Sequence, residues 1–196
     1  MWLVCCLPIV TIGASTTALY YTSFKIAKDE GSYITTMFFR SFKQNFKQAT
    51  VIWLIMLAAG LLIGADAVLL YRLRATSTGT AAVVWTLLLA VIFASMIVYA
   101  IVLAYVFPLL SIVSNTTANM FKNAFLIGTH YLFATILVFA VHFAMFFVVV
   151  AWFTPLIIFG EGLCAMISAW LLNSILIASS GTPEDREAAA GEEEQP

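Results

Sequence analysis

Four ionisable side chains interrupt long apolar runs in this 196-residue chain: Asp66, His130, His142 and Glu161. A charge at membrane depth is costly, so each is a candidate functional group as well as a structural one. The two histidines are twelve residues apart, about 120° around a helix, so they do not form one metal-binding face. Asp66 and Glu161 are expected toward the outer ends of their runs, where hydration is cheap. Paired carboxylates, a nucleophile–base pair, a phosphate loop and an HExxH pattern are all missing from the sequence. The chain is therefore not read as an enzyme, and no metal or cofactor is expected. Cys5, Cys6 and Cys164 lie in apolar surroundings with no zinc spacing and are read as packing residues.

A second group is polar but uncharged. The stretch Thr11-Ile12-Gly13-Ala14-Ser15-Thr16-Thr17 is small and hydroxyl-rich for an apolar run. Small polar residues let two helices approach closely and hydrogen-bond across the contact. The alternative is a broken, cavity-lining segment, because irregular backbone survives in a bilayer only against protein or water. Tyr20, Tyr21, Tyr99 and Tyr105 offer flat faces on which sugar rings could pack, although tyrosine is also common at membrane interfaces. The candidate ligand-binding set is Thr11, Ser15, Thr16, Tyr20, Tyr99, Tyr105 and Asn173. Convergence on a wet cavity would favour transport. A dry interior with a polar cytoplasmic face would favour a scaffold.

These residues must be positioned by membrane helices. Hydrophobic residues make up 63% of the chain and charged ones 10%, against about 25% charged in a soluble domain. The composition excludes a soluble, fibrous or disulfide-scaffold protein and predicts an all-α, polytopic transmembrane bundle of about five spans. The expected spans are 2–24, 49–70, 81–110, 124–151 and 155–178. Pro108 is expected to close the third and Thr154-Pro155 to break the chain after the fourth. Gly160-Glu161-Gly162 is expected to interrupt the fifth, which is read as re-entrant at its start. The chain begins inside an apolar run, so part of the first helix is expected to be absent. Residues 1–180 form the membrane domain, and 181–196 are expected to be a disordered acidic tail with six of the ten acids. Without that tail, eight Lys/Arg stand against four acids.

The Lys/Arg bias predicts the connections 25–48 and 111–123 and the C-terminus on the cytoplasmic side. The polar loop 72–80 and the N-terminus are then outside. Within 25–48, a helix at about Ser32–Lys47 carries Ile34, Phe38, Phe42 and Phe46 on one face and Arg40, Lys43 and Lys47 on the other. It is read as a basic amphipathic helix at the cytoplasmic interface, facing lipid or a partner. Gly60 and Gly64 are expected to form a close helix contact. Phe42-Lys43-Gln44-Asn45-Phe46 is echoed by Phe121-Lys122-Asn123-Ala124-Phe125, as in a parallel two-helix repeat. Nucleic-acid binding has no basic domain to support it.

The segments Leu7-Pro8-Ile9-Val10-Thr11-Ile12-Gly13-Ala14-Ser15-Thr16-Thr17-Ala18-Leu19-Tyr20-Tyr21 and Phe38 to Thr50 resemble the YesL family of bacterial membrane proteins. Tyr105 to Leu110 and Lys122 to Phe125 are similar too. Members of that family generally begin earlier, and the acidic tail is not part of the pattern. The family is found mainly in Gram-positive bacteria, often encoded beside carbohydrate ABC-transporter components. The resemblance implies a multi-pass protein of the bacterial plasma membrane that performs or assists oligosaccharide or glucan transport. The alternative is a non-transporting scaffold or regulator of a carbohydrate ABC permease. The implied partners are the bilayer, an oligosaccharide and ABC-transporter components, and the family offers no catalytic residues to carry over.

Overall fold

The computed structural model describes residues 2–6, 8–28, 33–151 and 157–180. Every regular element among them is helical. The order is α1 (Trp2–Cys6), a 3-10 turn (Ile9–Thr11), α2 (Ile12–Ala27), α3 (Ile34–Thr76), α4 (Thr80–Ile112), α5 (Thr117–His130), α6 (Leu132–Ala151) and α7 (Ile157–Ser180). The acidic tail lies outside the described residues.

The first apolar run is not one straight helix. Pro8 cannot donate a backbone hydrogen bond, and the chain breaks there into α1, the 3-10 turn and α2. Thr11 closes the break: its hydroxyl lies within hydrogen-bond reach of the carbonyls of Cys5 and Pro8 and donates its single proton between them. At Gly79 the backbone turns with φ of 65°, a left-handed conformation that glycine adopts at little cost. This turn joins α3 to α4 through residues 77–79 alone, so most of the expected outer loop 72–80 is helix. Pro108 lies inside α4, which runs on to Ile112.

Helix α3 changes the expected architecture most. It is continuous for 43 residues, or about 65 Å at 1.5 Å per residue. A bilayer with its headgroups is about 40–45 Å thick. The basic amphipathic segment is therefore not a separate interfacial helix. It is the first third of a rod that continues into the apolar span. Phe38 is buried and Phe42 and Phe46 are half-buried, whereas Arg40, Lys43 and Lys47 are exposed; Ile34, expected on the apolar face, is exposed too, because it lies in the first turn of α3.

The core lies where α2 packs against α3, α4 and α7. Small residues make this possible. A Cβ on Gly13 would come within 2.5 Å of the Ala49 carbonyl oxygen and 2.6 Å of Trp53 Cβ. The Trp53 indole Nε1 then donates to the Ile9 carbonyl at 2.8 Å, tying the broken segment to α3. At the basic end, Gln48 Nε2 donates to the Asn115 carbonyl at 2.6 Å. Helix α5 buries Met120, Ala124 and Gly128, a stripe of four-residue spacing. Gly128 lets it approach Ile101 and Tyr105 on α4.

Farther along, the α3–α4 hairpin leaves the core. Tyr99 spans the start of this seam, donating to the Met56 carbonyl at 3.1 Å and touching Gly60. Gly64 has nothing within 4 Å and is exposed, which corrects the expected two-glycine contact. Four residues exceed one helical turn by about 40°, and this seam has a near-3.5-residue period that leaves Gly64 outside it. The outward residues of the hairpin are apolar, including Leu61, Leu62, Val83, Leu87 and Phe93.

Three helices, α3, α4 and α6, are long and apolar enough to cross a membrane. This makes the protein an all-α membrane bundle. Pro8 leaves α2 with only 16 residues. Gly160-Glu161-Gly162 does not interrupt α7 but lies within it. The expected fourth span divides at Tyr131 into α5 and α6.

Candidate functional site

A cleft of about 410 Å³ opens between α2, α3, α4, α6 and α7, with α1 at its rim. Each wall is placed by a contact already described. The close α2–α3 approach at Gly13 sets Thr16 and Tyr20 beside Trp53. The seam at Gly60 places Tyr99 on the hairpin side, with Phe107 two turns along α4. Helix α6 contributes Phe139 and His142. Helix α7 supplies Glu161, because Gly160 approaches Met145 and brings α7 close to α6.

Aromatic faces dominate the lining, with a few polar groups among them. Trp2 Nε1 is 3.4 Å from Thr16 Oγ1 and donates to it. His142 Nδ1 lies 2.8 Å from the Val138 carbonyl one turn back on α6. Glu161 and His142 also line a neighbouring cavity of about 320 Å³ with Trp2, Met145 and Cys164. Behind the wall, Ser168 is near Tyr20, yet its Oγ makes no hydrogen bond. No group of three or more His, Cys, Asp and Glu side chains suited to a metal occurs among the described residues.

Thr16, Tyr20 and Tyr99 come together in this cleft. The other four residues of the candidate set do not line it. Thr11 caps the broken segment. Ser15 is buried, with Oγ unbonded. Tyr105 is fully buried, and its hydroxyl lies 2.9 Å from Thr135 Oγ1. Asn173 has a buried, unpartnered Oδ1. His142 and Glu161, recognisable singly as intramembrane ionisable groups, prove to share one cavity. Trp2, Trp53, Phe107 and Phe139 carried no sequence signal that set them apart from other apolar residues. Asp66 and His130 are exposed and do not line the cleft.

Residues 1–67 match the model of a family described as "Protein of unknown function, DUF624". The matched region contains α1, α2 and most of α3, and therefore the α2–α3 wall of the cleft. No curated protein and no solved structure matches the chain.

Proposed function

We propose that this is a YesL-like protein of the bacterial plasma membrane that performs or assists oligosaccharide transport, with the cleft as its binding site. The observation that carries this reading is the lining: Trp2, Tyr20, Trp53 and Tyr99 share one cleft with the hydrogen-bonding groups of Thr16, His142 and Glu161. Sugars need both kinds of surface, because their C–H faces pack on aromatic rings while their hydroxyls need polar partners. A mostly apolar pocket with a few placed polar groups is the usual form of a small-molecule site. The family match covers residues 1–67, the segment that most resembles YesL-like proteins, and bears on that resemblance alone. In this reading the basic end of α3 and the C-terminus face the cytoplasm and the N-terminus faces outside.

Titration of oligosaccharides into the purified protein tests this proposal. Tyr20→Ala should weaken binding more than Thr16→Val, because the first removes a ring face and the second one hydroxyl, worth about 1 kcal/mol. Calorimetry that finds no binding across glucans, galactans and rhamnose-containing oligomers would reject it.

One observation favours the scaffold alternative. Arg40, Lys43 and Lys47 are exposed on a helix long enough to extend past the hydrocarbon. That face would then contact an ABC permease. Co-purification lost on changing all three to Glu would support this second reading.

A further inference from the structure

We propose that the cleft selects saccharides carrying a protonated amine, an inference that rests on the carbohydrate reading above. Among the described residues, Glu161 is the only carboxylate lining the cleft, and no Lys or Arg lines it. In that described lining, the other group that could answer its charge is His142. The two share the cavity, but no ion pair joins them.

The hydrogen bond of His142 restricts what it can offer. A carbonyl oxygen only accepts, so Nδ1 carries the proton shared with Val138. In the neutral ring, Nε2 is then left as an acceptor. A carboxylate and an imidazole nitrogen on one cleft both call for a donor. A sugar hydroxyl supplies one donor and no charge, whereas an ammonium group supplies three donors and the missing positive charge.

The aromatic residues point the same way. Trp2, Trp53, Tyr20 and Tyr99 line the same space, and a cation over an aromatic face is attracted by its quadrupole. An amino sugar therefore uses every wall: its C–H faces meet the rings, its hydroxyls meet Thr16, and its ammonium meets Glu161. Acidic saccharides are disfavoured, because Glu161 repels them and no cation in the lining receives them.

The test uses the full chain in phosphatidylcholine nanodiscs and four oligomers of equal length: glucosamine, N-acetylglucosamine, glucose and galacturonate. Near pH 6 the primary amines are charged. Calorimetry should show the glucosamine oligomer binding about tenfold tighter than its N-acetylated form. Glu161→Gln should abolish that difference, bringing the glucosamine oligomer down to the affinity of its acetylated form. The acidic tail is unchanged in this variant, so amine binding to the tail would survive the substitution. In the unaltered protein, raising salt should weaken the glucosamine oligomer alone, which tests the charge without any substitution. Equal affinity for the acetylated and free amines, or a preference that persists in Glu161→Gln, would overturn the inference. Neutral oligomers that bind with no amine preference would overturn it and leave the carbohydrate reading standing. Binding of none of the four would overturn both.

Discussion

The Tyr105 hydroxyl on α4 and the Thr135 Oγ1 on α6 lie 2.9 Å apart in a fully buried contact. Thr135 Oγ1 is also 2.8 Å from the Gly128 carbonyl and 3.1 Å from the Tyr131 carbonyl. Carbonyls only accept, so the single proton of Thr135 goes to one of them and Tyr105 is the donor to Thr135. One hydroxyl thus stabilises the break between α5 and α6 and fixes that break to α4.

Thr135→Val should therefore destabilise the protein by about 1–3 kcal/mol, because it strands both the Tyr105 hydroxyl and a backbone carbonyl. Thr135→Ser should retain most of the stability. Thermal melting in detergent, run on both variants, checks this.

The same contact separates stability from binding. Tyr105 lies outside the cleft, whereas Tyr20 and Tyr99 line it. Tyr105→Phe should lower the melting temperature and leave oligosaccharide affinity unchanged. A loss of affinity comparable with that of Tyr20→Ala would show that Tyr105 takes part in the site.

The glycines should rank by what a new side chain would meet. Gly13→Ala should be the most damaging, because its Cβ would press on the Ala49 carbonyl and on Trp53, neither of which can swing away. Gly128→Ala should also destabilise, by crowding Ile101 and Tyr105. Gly64→Leu should shift stability by no more than about 0.5 kcal/mol, as at an ordinary surface position. Melting curves for the three variants test the order.

Orientation is open to direct measurement. Thr36 and Thr78 are exposed near opposite ends of α3. In a background without native cysteines, Thr78→Cys should react with an impermeant thiol reagent on intact cells, and Thr36→Cys should not. The reverse pattern would invert the proposed orientation.

The sequence by itself determined the class of this protein and the character of its faces. Its apolar fraction demands a membrane, and a 3.6-residue period is enough to set Phe38 and Phe42 opposite Arg40 and Lys43. The breaks at Pro8 and Gly79 emerged only in the structure, where the first apolar run proved divided and the outer loop short. Hydropathy misled where it was used to infer continuity. It divided α3 at the charged segment, yet no Pro or Gly lies between Ile34 and Ala59 to stop a helix there. Hydropathy records which solvent a residue prefers, not where the backbone ends its hydrogen bonds. Only the tertiary structure decided that Gly60 meets Tyr99 while Gly64 meets nothing, and that His142 and Glu161, nineteen residues apart, line one cleft with Trp53. Periodicity reports the face of one helix. Which faces meet depends on the register between helices, set by the packing of two surfaces at once.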